Sequence, residues 1–189
     1  MDLVGDRLFT PRLCLRRLED SDLPLVVEWS YNSEAYGEYL TPEKLDVELV
    51  RQKLKCGILW NRHEKLFLIV QRDSKENIGT IHYWQKPADT NTAVMALKIA
   101  LPHKRGNGYG LEAQKYVIIY LFDRVGFRQI QMYTDINNKV QQHCLTRLGF
   151  ELSESMVYDD HQVQRTGYLY CLTLDRYLEQ PVYKYHEIL

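Results

Sequence analysis

A glycine-rich turn between a strand-like segment and a helical segment constrains the fold more than any other feature. Gly106, Gly108 and Gly110 fall within five positions, shortly after an apolar run that ends at Leu101. From Gly108 onward the apolar residues follow helical spacing. The first N–H groups of a helix lack intrahelical partners and lie at the positive end of the helix dipole. The turn is therefore a candidate phosphate-binding site.

Two common phosphate-binding patterns do not fit this turn. A P-loop requires Gly-Lys-Ser or Gly-Lys-Thr, which is absent, and the dinucleotide-binding fingerprint requires glycine where Leu111 stands. A glycine cluster in isolation more often only reverses the chain. Its position between a strand and a helix favours phosphate binding here.

The apolar pattern along the chain predicts one α/β domain with a mixed sheet. Its length of 189 residues is normal for a single domain, and residues 175–189 form a C-terminal extension that packs on the domain or serves a partner. The predicted strands span residues 12–18, 66–71, 78–84, 92–101, 129–134, 150–157 and 166–173. The predicted helices span residues 22–29, 41–60 and 139–148, with one more between Gly108 and Gly126.

Composition and charge exclude several classes of function. With 24 Lys and Arg against 25 Asp and Glu, no overall field attracts the chain to nucleic acid or to an anionic membrane. No apolar run approaches the roughly 18 residues of a membrane span, and the N-terminus lacks the apolar stretch of a signal peptide. The four cysteines form no Cys-x-x-Cys pair, which indicates a reducing compartment. We expect a cytoplasmic protein.

The glycine turn matches the signature of a known superfamily. Arg105, Gly108 and Gly110 satisfy the Arg/Gln-x-x-Gly-x-Gly/Ala pattern that opens the central helix of GNAT N-acetyltransferases. The chain most resembles the branch that contains the ribosomal-protein Nα-acetyltransferases. That resemblance rests on four segments in the same order, at residues 9–16, 78–81, 108–113 and 138–150. It implies a single-domain GNAT-type fold, with a mixed, mostly antiparallel sheet splayed at its centre and flanked by helices.

The resemblance also implies acetyl-CoA as cosubstrate and no metal. The residues it assigns to the pyrophosphate are Arg105, Gly106, Asn107, Gly108, Tyr109 and Gly110, through their backbone N–H groups. The residues it assigns to the pantetheine arm are Ile99, Ala100 and Leu101, with Asn138 nearby. Lys104 and the side chain of Arg105 could add positive charge at the phosphates.

The catalytic residues are less clear, because the sequence departs from the family pattern. Leu145 stands where many members have a tyrosine that protonates the leaving thiolate, Gln141 where relatives often have serine, and Met95 where this branch often has glutamate. His82 is the best candidate for a base, since an unperturbed imidazole has a pKa of about 6.5. A hydrogen-bonded structural histidine is the alternative.

Several side chains could belong to the acceptor site. Tyr31, Tyr36 and Tyr39 form a cluster in a loop that we expect to line the acceptor cleft, and Glu28 and Glu34 could attract an ammonium group. Packing and solvation explain these five residues equally well.

Three further side chains have structural alternatives of the same kind. Tyr133 and Asp135 border the expected splay and could contact the substrate, although strand residues there are as often core or rim. Cys144 could be acylated, but a buried cysteine usually behaves as a small apolar residue.

We therefore expect an acyl-CoA-dependent N-acyltransferase that moves an acetyl group from acetyl-CoA to a primary amine. The amine, on a protein N-terminus or a small molecule, attacks directly in a ternary complex. Two alternatives remain, namely a longer acyl group, decided by pocket depth near Met95 and Leu97, and a non-catalytic acyl-CoA-binding regulatory module. The expected partners are acetyl-CoA and the amine, with a homodimer left open.

Overall fold

The structure, a computed structural model, describes residues 6–184. The strands are β1 Arg7–Phe9, β2 Leu13–Arg17, β3 Glu64–Gln71, β4 Asn77–Lys86, β5 Asp89–Ile99, β6 Gln129–Asp135, β7 Glu151–Asp160 and β8 Val163–Thr173. The α-helices are α1 Leu23–Tyr31, α2 Ser33–Tyr36, α3 Val47–Lys55, α4 Tyr109–Tyr120, α5 Lys139–Arg147, α6 Leu174–Glu179 and α7 Pro181–Lys184.

One eight-stranded sheet runs through the molecule in the order β1-β2-β3-β4-β5-β6-β8-β7. All neighbouring strands are antiparallel except β5 and β6. These two pair only from Thr92 with Gln129 to Val94 with Gln131. Beyond that point residues 95–99 of β5 and 132–135 of β6 diverge, and we call the gap between them the wedge. The predicted mixed sheet with a central splay is confirmed.

The sheet has a helical layer on each face. One core cluster lies between the sheet and α4, and it includes Ile118 and Met95. A smaller cluster under α1 and α3 includes Val26 and Val50. Because side chains alternate along a strand, neighbouring residues of β5 reach opposite layers. The wedge therefore lies between the core cluster under α4 and the smaller cluster under α1 and α3.

The helix predicted over residues 41–60 is wrong in its first part, since residues 41–46 are not helical and α3 spans Val47–Lys55. The segment before α3 follows an extended path held by contacts with other elements. The Thr41 N–H donates to the Asp160 carboxylate at 2.8 Å, and the Leu45 N–H donates to the Ser30 hydroxyl at 2.9 Å. These tertiary hydrogen bonds override the local helix-start signal.

The ends of the chain carry elements that the apolar pattern did not predict. Strand β1 forms a hairpin with β2, and the tail forms α6 and α7. The buried Tyr177 and Tyr183 donate hydrogen bonds to the Asp123 carboxylate and the Leu148 carbonyl, so the tail packs on the domain as far as it is described. The remainder of the predicted extension, residues 185–189, lies outside the described residues. No helix in residues 6–184 is long and apolar enough to cross a bilayer.

Candidate functional site

The glycine turn leads directly into α4. Gly106 has a φ of 76° and Gly108 a φ of 79°, both in the left-handed region. That region costs other residues about 1–2 kcal/mol. Gly110 is needed for a different reason, because a Cβ there would lie 2.9 Å from the Leu97 side chain. The three glycines therefore allow a tight left-handed turn and a close approach of α4 to β5.

The turn presents a row of unused backbone donors. Within residues 6–184, the N–H groups of residues 106–108 have no acceptor, and those of residues 109–111 are the first of α4. The N–H of Arg105 differs, since it donates to the Pro102 carbonyl at 3.1 Å. The donor row thus spans residues 106–111, one position later than the sequence predicted.

The side chain of Arg105 is not free for phosphate. Its Nε donates to the Ile99 carbonyl at 2.9 Å, and its Nη2 donates to the carbonyls of Glu34 and Ala35 at 2.5 and 2.9 Å. Burial lowers the pKa of the guanidinium. The expectation that this charge meets the cofactor is corrected, because Arg105 ties the turn to the end of β5 and to α2.

Arg12 is the cation that lies beside the turn. Its Nη1 donates to the Asn107 carbonyl at 2.9 Å, its Nε pairs with Glu112 at 2.6 Å, and its guanidinium lies over the Tyr109 ring. Burial raises the pKa of Glu112, but hydrogen bonds from Thr10 and Arg12 outweigh it and the net pKa is lowered. Sequence reasoning missed Arg12 because 95 residues separate it from Asn107.

The wedge exposes one edge of β5. The Ala100 N–H donates to the Ile78 carbonyl of the neighbouring segment at 2.8 Å. Main-chain groups alternate in direction along an antiparallel pair, so those of Met95, Leu97 and Ile99 face the wedge. The Ala100 N–H, which was predicted to pair with the cofactor, is thus used within the sheet, whereas the main-chain groups of Met95 and Leu97 face the wedge.

Leu101 lies beyond the exposed edge of β5, and Asn138 lies beyond the end of β6. The Leu101 carbonyl accepts from the Lys104 N–H at 3.0 Å. The Asn138 side chain accepts from the Gln141 N–H at 3.1 Å and so caps α5. Leu145 is fully buried. The structure gives these residues structural contacts, which leaves their contact with a cofactor a prediction.

Thr134 of β6 is a second residue that sequence reasoning missed. It is 3% exposed, and its hydroxyl has no hydrogen-bond partner in the described part of the chain. Extending the register of Val94 with Gln131 places Thr134 opposite Leu97 across the wedge. A buried hydroxyl without a partner costs about 1–3 kcal/mol. The position of Thr134 beside the wedge makes its hydroxyl a candidate donor.

A cavity of about 260 Å³ lies on the face of the sheet that is covered by α1 and α3, opposite to the face covered by α4. Its floor is formed by β3, β4 and β5, and its walls by the helices α1 to α3, the segment before α3 and the turn between β7 and β8. The floor residues that matter below are Glu64, Thr80, His82, Ala96 and Lys98, and the wall residues are Tyr36, Glu43 and Asp160. We call this space the central cavity.

His82 lies on the floor of the central cavity. Its Nε2 is 3.0 Å from Glu64 Oε1, and the ring is 5.0 Å from that of Trp84. The side chains of both His82 and Glu64 remain between one quarter and one third exposed. The carboxylate fixes the imidazole so that Nδ1, which has no partner among the described residues, is the nitrogen able to accept a proton. Glu64 was not singled out by the sequence.

Lys98 is the most unusual group in the central cavity. It is 8% exposed, and its Nζ lies 4.0 Å from the centroid of the Tyr36 ring. No hydrogen bond or ion pair within residues 6–184 satisfies that nitrogen. Burial lowers its pKa to about 8, against the opposing charge of Glu43. Burial, and then the charge of Glu43, raises the pKa of Tyr36, whose hydroxyl also lacks a partner.

The sequence that forms these features also matches a known protein family. The family model described as "Acetyltransferase (GNAT) domain" matches residues 12–151 of the chain. The chain belongs to the GNAT acetyltransferase family. A comparison with curated proteins gives no match.

Solved structures share the GNAT fold at low sequence identity. The ribosomal L7/L12 alpha-N-protein acetyltransferase RimL with coenzyme A has a TM-score of 0.72 and 17% identity, covering 88% of this chain and 97% of that chain. The spermidine N-acetyltransferase of Vibrio cholerae with CoA and spermine has a TM-score of 0.72 and 19% identity, covering 89% of this chain and 99% of that chain. A GNAT acetyltransferase from Bacillus anthracis has a TM-score of 0.72 and 16% identity, covering 88% of this chain and 98% of that chain.

Only some of the side chains suggested for the acceptor site lie in the central cavity. Tyr36 lines the central cavity, whereas Tyr31 is 60% exposed. Asp135 pairs with Arg165 at 3.4 Å. Burial raises the pKa of Cys144, which disfavours a reactive thiolate. Within residues 6–184 no group of three His, Cys, Asp or Glu side chains could hold a metal ion.

Replacing Lys98 by methionine should stabilise this GNAT domain. The pKa of Lys98 is lowered from 10.5 to about 8, and each unit corresponds to about 1.4 kcal/mol, which gives about 3 kcal/mol at pH 7. Because the charged form is disfavoured in the folded state, this cost is complete below pH 8 and disappears as the pH rises towards 10.5. Urea unfolding at pH 7 and pH 9.5 measures it. The advantage of Lys98→Met should roughly halve at pH 9.5, and equal advantages at the two pH values would contradict the shifted pKa.

Proposed function

We propose that the protein transfers an acetyl group from acetyl-CoA to a primary amine by direct attack in a ternary complex. The observation that carries the proposal is the wedge, whose exposed β5 edge joins the donor-rich turn to the central cavity. One end suits the phosphates of the cofactor, and the other holds a histidine where the amine would arrive. Membership of the GNAT family supports the same reaction.

The cofactor would be held mainly by the backbone. The N–H groups of residues 106–111 would bind the pyrophosphate, with the helix dipole of α4 and the charge of Arg12 adding attraction. The amide-bearing pantetheine arm would pair with the main-chain groups of Met95, Leu97 and Ile99, like an added strand. Ile99 would contribute only its N–H to this pairing, because its carbonyl already accepts a hydrogen bond from Arg105.

The chemistry needs a neutral amine and a stabilised leaving group. In the proposed reaction His82 accepts a proton from the amine through Nδ1, with Glu64 holding the ring. The neutral amine nitrogen then attacks the thioester carbonyl carbon to form a tetrahedral intermediate. As the C–S bond breaks and the sulfur leaves with the bonding electron pair, the second proton of the nitrogen is transferred to the sulfur, which gives the amide and free CoA. The hydroxyl of Thr134 donates a hydrogen bond to that sulfur, in place of the tyrosine that is absent at Leu145.

Thr134→Val should test the proposed role of this hydroxyl. Valine has nearly the same shape, so we expect kcat to fall by about tenfold, the effect of one lost hydrogen bond. Affinity for acetyl-CoA should stay within about threefold, because ground-state binding does not need the bond. Thr134→Ser should restore most of the rate. A rate equal to that of the wild type in Thr134→Val, measured at saturating acetyl-CoA, would remove Thr134 from the mechanism.

The reaction can be tested directly with a panel of amines and acyl-CoAs. Release of free CoA is followed by the mass of the product, which identifies the acyl group and the acceptor together. Acetyl-CoA should exceed propionyl- and butyryl-CoA in rate. Tight acetyl-CoA binding without amine-dependent CoA release would instead favour the non-catalytic module, the candidate suggested by the buried Leu145. A cytoplasmic location and a homodimer remain predictions.

A further inference from the structure

Lys98 is a buried cation that forms no contacting ion pair with the described residues, although the charge of Glu43 acts on it from a longer distance. Burying an ammonium group is unfavourable unless it is paired or hydrogen-bonded. Yet its Nζ has only the face of the Tyr36 ring within the described chain. Groups of this kind are concentrated at functional sites. The nitrogen borders the central cavity, so a ligand there can reach it.

The carboxylates of the central cavity have other partners. Glu64 contacts His82 at 3.0 Å, and Asp160 accepts from Arg165 at 2.9 Å. Glu43 lies 3.8 Å from His161 and forms no ion pair with Lys98. The positive charge of Lys98 is therefore left for an incoming anion.

A second donor lies at the same place. Tyr36 packs its ring against Lys98, and its buried hydroxyl forms no hydrogen bond of normal geometry among residues 6–184, although Glu43 lies close enough to raise its pKa. An ammonium and a hydroxyl together match the two oxygens of a carboxylate. A doubly charged phosphate fits less well, because Glu43 and Asp160 also line the cavity and repel a dianion about twice as strongly as a singly charged carboxylate.

The position of Lys98 relates this subsite to the reacting centre. Lys98 follows Leu97, whose main-chain groups face the wedge, while its own side chain reaches the central cavity. We propose that the acceptor is an amine that also carries a carboxylate, such as an amino acid, and that Lys98 and Tyr36 bind this carboxylate. This inference rests on the proposed function. A polyamine is disfavoured because its second ammonium group would face Lys98.

Matched pairs of acceptors test the inference. Tyrosine is compared with tyramine, and lysine with cadaverine, by kcat/KM from CoA release. The wild type should prefer the member with a carboxylate by at least about tenfold. Lys98→Met should reduce that ratio to near one. Preference for tyramine and cadaverine in the wild type, or an unchanged ratio in Lys98→Met, would overturn the inference.

Lys65→Met is the matched control. Lys65 is 7% exposed on β3 and donates to the Asn61 carbonyl, so the same substitution is made at a buried lysine outside the central cavity. Its acceptor ratio should equal that of the wild type. A ratio that falls equally in both variants would show a general effect of losing a buried lysine and would also overturn the inference.

A binding measurement separates this inference from the proposed function. N-acetylphenylalanine and its amide are titrated into the protein in the presence of CoA, and the heat of binding is measured. The acid should bind at least about tenfold more tightly than the amide, and Lys98→Met should remove the difference. This result is readable even if no amine accelerates CoA release. Equal affinities of the acid and the amide for the wild type would contradict the carboxylate subsite and leave the proposed acetyl transfer unaffected.

Discussion

Replacing Gly108 by glutamate should abolish acetyl-CoA binding in a protein that still folds. A Cβ at this position would lie 3.3 Å from Nη2 of Arg12. The new carboxylate would therefore reach both Arg12 and the free N–H groups of the turn, and occupy the place proposed for the phosphates. Loss of two charge-assisted hydrogen bonds corresponds to at least about 100-fold in affinity. Calorimetric titration with acetyl-CoA gives the affinity directly.

Two controls separate the carboxylate from backbone strain. Gly108→Ala introduces the same left-handed strain without a charge and should lose far less affinity than the glutamate variant. Gly126→Ala places alanine at a φ of 90° with no atom near its Cβ, at the opposite end of the helical segment, and should bind normally. If folded Gly108→Glu stays within about tenfold of the wild type, the cofactor does not lie on this turn.

The glycine turn was predictable because its physical requirements are local. Left-handed φ at Gly106 and Gly108 and a helix starting directly afterwards can be inferred from a short stretch of sequence. The failure over residues 41–60 has the opposite cause. There Thr41 and Leu45 donate to residues far away in the chain, and no local pattern encodes such bonds.

The same distinction holds within the candidate site. His82 was identified by its residue type alone, and it does line the central cavity. Its partner Glu64, the cation Arg12 and the unpartnered Thr134 depend on which elements the fold brings together. Nothing in the sequence marks Lys98, and the burial of its charge is evident only from the packing of Tyr36 over it.

His82→Ala should lower kcat by about 10²- to 10⁴-fold, the range for loss of a general base. The imidazole lines the central cavity and is held by Glu64 through Nε2, so in the proposed mechanism its removal leaves the amine without a proton acceptor. Acetyl-CoA affinity should not change, because the wedge and the turn are made by other residues. Steady-state rates at saturating acetyl-CoA across a pH series measure the loss. The limb of the wild-type profile that comes from the imidazole should be missing in the variant.

Glu64→Gln provides the graded comparison. Glutamine can still hydrogen-bond to the ring but removes the charge that stabilises its protonated form, so we expect a loss smaller than that of His82→Ala. Superimposable pH profiles for the wild type and His82→Ala would assign His82 to structure. The proton would then leave through water or another residue, with Glu28, Glu34 and Asp135 to be tested next.

With the two substrates bound at the turn and in the central cavity as proposed, we expect the three bonds of Arg105 to make the two sites energetically dependent on each other. One guanidinium holds the carbonyls of Ile99, Glu34 and Ala35, so the turn and the helix that carries Tyr36 are fixed together. A ligand that orders either side reduces the entropy that the other must lose on binding. Such synergy is reciprocal, so the factor by which acetyl-CoA lowers the Kd of the acceptor equals the factor by which the acceptor lowers the Kd of acetyl-CoA. An inhibitor that joins both ligands covalently would gain from this coupling, whereas a compound confined to one site would not.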